Sequence, residues 1–212
     1  PVLTSDGLVA ASSDGRLHVL SPETGRPRTA PFKLGAAITR PRVLGDSRLV
    51  VGAGDGSLRI IELARDSSAD SDSVVLREFR RLRHGREAVI ALAGRTEKAG
   101  LWSVDAAGVV VLWSRTEAGL SELARVEVGA GVVAIKETMR ETMRETGRSL
   151  LVLSPRRVVE LVVDGGETNK KTIKTVELGL GDDQDPIVAV QPAPAGHRVL
   201  LQRSGLLRRV SA

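Results

Sequence analysis

Two stretches of this 212-residue chain are copies of one pattern, and that self-similarity constrains the fold more than any other feature. Residues 1–20 read PVLTSDGLVAASSDGRLHVL and residues 41–60 read PRVLGDSRLVVGAGDGSLRI. Each runs as short strand, tight turn, apolar strand, Asp-Gly turn, apolar strand. The turns Asp14-Gly15 and Asp55-Gly56 hold the same place in both copies. Asp and Gly tolerate positive φ, which matches such hairpin turns to the right-handed twist of the strands they join. Three fainter copies follow: GLWSVDAAGVVVLW at 100–113, SLLVLSPRRVVELVV at 149–163 and RVLLQRSGLLRRV at 198–210. Their turns lie near Ala106, Pro155 and Ser204, so turn marks at 14, 55, 106, 155 and 204 are separated by 41, 51, 49 and 49 residues.

That interval is the length of a propeller blade and too long for ankyrin, tetratricopeptide or leucine-rich repeats. Each period holds four short, β-branched runs bounded by Gly, Asp and Ser. The second gives 38–44, 48–53, 57–64 and 74–82; the third 88–93, 100–104, 109–114 and 120–128; the fourth 132–136, 149–153, 157–163 and 172–178. Runs such as LVVGA and VVVLW are apolar throughout, as strands covered on both faces are. A β-sandwich or two small barrels would supply strands but no reason for the interval. The expectation is an all-β chain forming a single β-propeller domain over 1–212, of about five four-stranded blades near 1–34, 35–83, 84–130, 131–179 and 180–212. The last lacks an obvious fourth strand. A partial ring of six to eight blades is the alternative, with the missing strand coming from residues outside the chain or from a partner.

Composition removes several chemistries. There is no cysteine, so disulfides, cysteine-ligated metals and thiol catalysis are excluded. This fits an intracellular setting, and a disulfide-free periplasmic or lumenal one too. Two Trp, two Phe and no Tyr leave little for base stacking on single strands. A net charge of +5 favours solubility but is not the charge density of a dedicated nucleic-acid binder. No apolar run reaches bilayer-spanning length, and no signal peptide is evident. The first residue is Pro1 rather than Met, which suits a fragment or a processed product.

LVAASSDGRLHVLSPETG at 8–25 resembles the repeat of the quinoprotein-type (PQQ-like) propellers: apolar strand, small-residue pair, Asp-Gly, second apolar strand, polar turn ending Thr-Gly. LVVGAGDGSLRIIEL at 49–63 resembles it as well, while GVVVLW at 108–113 is closer to the third strand of a WD40 blade. The likeness is sharp over roughly the first sixty residues and weaker after them. The quinoprotein enzymes in that family hold a quinone under a stacked Trp beside calcium and a vicinal disulfide. Here there is no Cys, both Trp fall in one blade, and Arg26-Pro27-Arg28 stands where the repeat's closing Trp belongs. The resemblance therefore implies the non-catalytic branch, without a cofactor, whose members bind other proteins.

The candidate functional residues are few. His18, His84 and His197 lie far apart, with no HxH or HExxH spacing, and are expected to be structural: His18 inside a strand, His84 in a basic loop, His197 beside a turn. No serine sits in a GxSxG context, and Asp182, Asp183 and Asp185 lack the Gly and Glu of an EF-hand loop. SSADSDS at 67–73 reads as an acidic linker. The basic run LREFRRLRHGRE at 76–87 carries Arg77, Arg80, Arg81, Arg83 and Arg86. Strict alternation would place Arg77, Phe79 and Arg81 on one face and Arg80 and Leu82 on the other. Charge of this kind commonly protects an outer strand, and it would also suit an acidic surface, phosphate or nucleic acid. The insertion KETMRETMRETGR at 136–148 interrupts the fourth period between its first two strands. Glu and Arg at i,i+3 suit a short solvated helix or a loop. Lys136, Met139, Arg140, Met143, Arg144 and Arg148 make it the preferred partner contact, because two Met side chains adapt readily to a binding surface.

A non-catalytic scaffold within a larger protein assembly is thus the expected function. Nucleic-acid or phosphate binding through the arginines is the first alternative, and a ligand-binding or enzymatic propeller with a central-channel site the second.

Overall fold

The computed structural model describes residues 1–45, 47–65, 74–94, 100–141, 146–155, 157–164, 172–180, 187–192, 197–202 and 207–211. Every described element is a strand, and the strands form consecutive antiparallel meanders. The first sheet is β1 (Val2–Thr4), β2 (Gly7–Ala11), β3 (Arg16–Leu20) and β4 (Phe32–Lys33); the second is β5 (Arg42–Gly45), β6 (Arg48–Gly52), β7 (Ser57–Arg65) and β8 (Val74–Arg83). The third is β9 (Val89–Ala93), β10 (Leu101–Asp105), β11 (Val109–Thr116) and β12 (Gly119–Glu127). The fourth is β13 (Ala134–Glu141), β14 (Thr146–Leu153), β15 (Arg157–Asp164) and β16 (Thr172–Leu180), and a three-stranded sheet of β17 (Ile187–Pro192), β18 (His197–Gln202) and β19 (Leu207–Ser211) follows. The turn marks at 14, 55, 106 and 155 therefore each sit between the second and third strands of a four-stranded sheet.

Those turns differ in detail from a two-residue Asp-Gly hairpin. Ser12 N–H donates to the Arg16 carbonyl at 2.9 Å and Gly15 N–H to the Ser12 carbonyl at 3.1 Å; Ala53 and Gly56 make the same pair of bonds to Ser57 (2.8 Å) and Ala53 (3.1 Å). Each is a three-residue loop whose last residue, Gly15 at φ +80° or Gly56 at φ +74°, takes the left-handed conformation. A Cβ on Gly15 would overlap the Ala36 carbonyl, and one on Gly56 would meet the Gly85 carbonyl oxygen at 2.6 Å. The glycine is thus needed both for its φ and for the close passage of the chain leaving the sheet, tied down by Leu34 N–H to Gly15 O (2.9 Å) and His84 N–H to Gly56 O (3.0 Å).

The chain divides into two compact units, residues 1–106 with 111–122, and residues 107–110 with 123–212. In the first, Val9, Leu17 and Val19 of the first sheet pack with Leu49, Val51, Ile61, Leu63 and Leu76 of the second. Each fully buried aliphatic side chain contributes about 1.5–3 kcal/mol, so this interleaving of sheets is what makes a single meander stable. In the second unit, Leu151, Leu153, Val158 and Leu178 of the fourth sheet pack with Ile187 of the next.

The insertion at 136–148 is neither helix nor irregular loop over its described part. β13 and β14 pair without interruption from Ala134↔Leu153 to Glu141↔Thr146. The i,i+3 Glu/Arg spacing that suits a helix is equally compatible with a hairpin, and the blade's own first two strands supply the template that extends it. Met143 and Arg144 lie outside the described residues, as do 67–73 and Asp182, Asp183 and Asp185.

Candidate functional site

Sheets two and three each bury a polar cluster among their apolar strands. In sheet two Arg59, only 4% exposed, is held from four sides. Its guanidinium meets Asp55 Oδ2 at 2.5 Å and Glu78 Oε2 at 3.2 Å, donates to the Leu34 carbonyl at 2.8 Å, and its Nε donates to Ser57 Oγ at 3.3 Å. Burial opposes ionisation of Asp55, but hydrogen bonds from Ser57 and Arg59 and the Arg59 charge outweigh it and hold the carboxyl below its ordinary value. In sheet three Trp113 Nε1 donates to Ser103 Oγ at 2.7 Å, His84 Nδ1 lies 3.4 Å from Asp105 Oδ2, and the His84 and Trp113 rings are 6.4 Å apart. All four side chains are buried. His84 lies in the basic connection between β8 and β9, as expected, but its side chain is buried, and its N–H donates to the Gly56 carbonyl at 3.0 Å. The fourth sheet repeats the device more simply, with Ser149 Oγ donating to Glu160 Oε1 at 2.6 Å, both fully buried. The third- and fourth-sheet clusters are buried, whereas Asp55 and Glu78 of the second keep part of their side chains in solvent.

The outward-facing candidates are on β8 and on the β13–β14 hairpin. Arg77, Arg80, Arg81 and Arg83 are all exposed along the outer edge of sheet two, as is Arg86 beyond it. Their faces are not those of a regular strand. Ile60 opposes Arg80 while Ile61 opposes Glu78, so Phe79 is the extra residue of a β-bulge. The bulge resets the alternation. Arg81 stands opposite Arg59 and bonds Glu78 at 3.0 Å, whose carboxylate holds the Arg81 guanidinium above its ordinary value. Arg80 and Arg77 stand opposite Ile60 and Glu62 on the other face, so Arg77 and Arg81 are separated and Arg77 and Arg80 are brought together.

That other face carries two more arginines. Arg48 opposes Glu62, bonds it at 3.2 Å and stacks over the Phe79 ring at 3.7 Å. Arg42, opposite Val50, reaches across to the Leu92 carbonyl of β9 at 3.1 Å, and Arg80 reaches the Ala118 carbonyl between β11 and β12 at 2.8 Å. Two arginine–carbonyl bonds thus clamp sheet two to sheet three. Between them opens a cleft lined by Leu44, Arg48, Arg115, Thr116, Glu117 and Gly119. The sequence offered no signal for Arg48 or Arg115, because neither belongs to a charge run.

On the hairpin, Lys136 is exposed on β13. Met139 opposes Arg148, and Arg140 opposes Gly147. Among the described residues β15 pairs with Ser149–Leu153 of β14 and no further, so the ladder from Met139↔Arg148 to Glu141↔Thr146 continues there as a two-stranded ribbon past the third strand. β8 lies in the first unit and the ribbon in the second.

Comparison with solved structures places this succession of four-stranded meanders. The chain is similar to BBS1N in crystal structures of its complex with ARL6DN, one soaked with mercury (TM-score 0.55, 17% identity) and one soaked with lead (TM-score 0.54, 15% identity). The fold is a β-propeller. The likeness covers 96% of this chain but 55% of each BBS1N chain, so the chain spans about half the length of the propellers it matches. No family model matches it, and no curated protein does. The sheets are accordingly blades.

Proposed function

We propose that this propeller is a non-catalytic scaffold that joins a larger protein assembly through the β13–β14 ribbon. The ribbon is the observation that carries the reading. A two-stranded ladder with no third strand is marginally stable by itself and leaves backbone donors and acceptors on both edges. Three residue pairs of this ladder run past β15, in a segment bearing Met139, Arg140 and Arg148; Lys136 lies nearer its base, opposite Leu151, and Met143 and Arg144 fall outside the described residues. A partner strand or helix laid against it would satisfy those groups, and methionines adapt to such a surface. The similar BBS1N propeller is itself seen bound to a protein, ARL6DN, which supports protein binding as a use of the fold. The blades underneath would be of PQQ-like type in the first two and WD40-like type in the third, with other protein subunits as partners and no cofactor.

The test replaces residues 139–148 with a short Gly-containing turn. The melting midpoint should stay nearly unchanged while capture of the native partner weakens. Loss of capture on Arg80→Glu with Arg81→Glu, with the shortened ribbon still capturing normally, would move the interface to β8.

A further inference from the structure

The first three tails that lead from one blade into the next are held differently. In the first two, the chain leaving the outer strand is fastened at both ends. Leu34 N–H donates to the Gly15 carbonyl at 2.9 Å, and the Ala37 carbonyl accepts at 2.7 Å from the N–H of Gly54, which opens the β6–β7 turn of the next blade. His84 N–H donates to the Gly56 carbonyl at 3.0 Å, and the Ala88 carbonyl accepts at 2.9 Å from the N–H of Ala106, which opens the β10–β11 turn. The third tail begins in the same way, with Val128 N–H on the Gly108 carbonyl at 2.8 Å. Val133 N–H then donates to the Leu153 carbonyl at 2.9 Å, as Thr39 N–H does to the Gly52 carbonyl at 2.8 Å, which makes Gly131 the counterpart of Ala37. The residue that opens the β14–β15 turn is Pro155, and proline has no N–H to give. The second fastening cannot form there.

Side chains widen the difference. Arg59 donates to the Leu34 carbonyl at 2.8 Å in the first tail, and His84 of the second is buried 3.4 Å from Asp105. In the third, Arg157 lies over Gly129, where a Cβ would meet its Nη2 at 2.6 Å, but among the described residues its guanidinium donates no hydrogen bond to the tail. Gly129, Ala130 and Gly131 are all exposed, and Val133 is 61% exposed. We propose that residues 129–133 are a hinge on which the fourth blade, with its ribbon, swings, while the tails into blades two and three stay fixed. A segment with little buried surface and one backbone bond fewer opens at a lower free energy than its counterparts, and hinges are commonly a few residues at the end of an element. The hinge does not depend on what the ribbon binds.

The test is hydrogen–deuterium exchange on the whole chain without a partner, read as protection factors at the matched amides Thr39 and Val133. Val133 should be protected at least about tenfold less than Thr39. Pro155→Ala returns the missing N–H and should slow exchange at Val133 while leaving Thr39 unchanged. Ala106→Pro makes the converse change at the second tail, and proline suits the opening position of such a turn, so the N–H is what is lost. Val89, whose N–H donates to the Ala53 carbonyl at 3.1 Å, should then exchange faster, with Val133 unchanged. Melting midpoints confirm that the variants fold. Equal protection of Thr39 and Val133 in the wild type overturns the inference, and so does a Pro155→Ala variant in which Val133 exchanges as before. Faster exchange at Thr39, Val89 and Val133 alike in Ala106→Pro would mean that the turn N–H supports the whole fold rather than one joint, and rejects the hinge. Should Ala106→Pro fail to fold, the Pro155→Ala comparison decides alone.

Discussion

Blades two and three have the same strand order and the same turn, yet they fill their centres by opposite means. Blade two buries a charge, Arg59, and answers it with Asp55 and Glu78, whose side chains remain 39% and 28% exposed. Blade three buries Trp113, Ser103, His84 and Asp105 almost completely. The first arrangement stays in touch with solvent through its carboxylates and should respond to pH and salt. The second is closed, and its worth lies in packing plus hydrogen bonds that no water can replace. The same contrast separates the surfaces, since the ionic blade is also the one whose outer strand carries the arginine row.

Trp113→Ala is the largest expected blow. It empties a side chain 3% exposed and orphans Ser103 Oγ, and should cost about 3–5 kcal/mol by denaturant melts. A cost under about 1 kcal/mol, the range of an ordinary exposed substitution, would remove the distinction between the blades. Arg59→Met comes next, at roughly 1–3 kcal/mol, because Asp55 and Glu78 can recover water when their partner leaves, while the Leu34 carbonyl cannot do so as readily. If the Arg59 variant proves as damaging as the Trp113 one, the charge in blade two is sealed rather than solvent-linked.

The smallest effect is the pH dependence of Asp55. Its folded pKa is depressed, so the stability it contributes is present above the ordinary value of 3.8 and is lost as pH falls through the lower folded value. Asp55→Asn should therefore flatten the acid limb of the stability curve in that window. An unchanged acid limb would mean that Arg59 is balanced by Glu78 alone.

The repeat period and most strands of the second and third blades were readable in the sequence, because β-branched runs and Gly-Asp turns are local signals. β7 was expected at 57–64 and runs Ser57–Arg65; β9 was expected at 88–93 and runs Val89–Ala93. What could not be read depends on distant partners. Arg59 looks like an interruption in an apolar strand until Asp55, Glu78 and Leu34 are brought round it. His84 reads as one more member of a basic run, and only the fold carries it to Asp105. The Phe79 bulge reversed the expected pairing of arginines, since one extra residue exchanges the faces of all that follow. The ribbon was missed for a different reason: E-T-M-R repeats satisfy helix, loop and hairpin alike, and the choice falls to the ladder begun by β13 and β14.

Hydrogen–deuterium exchange on the chain alone and bound to its captured partner tests the central claim most directly. Slowed exchange on binding is expected in peptides spanning 139–148, where the described pairs from Met139↔Arg148 to Glu141↔Thr146 run beyond the pairing with β15. Protection confined to residues 74–86, with exchange in the ribbon unchanged, would contradict it.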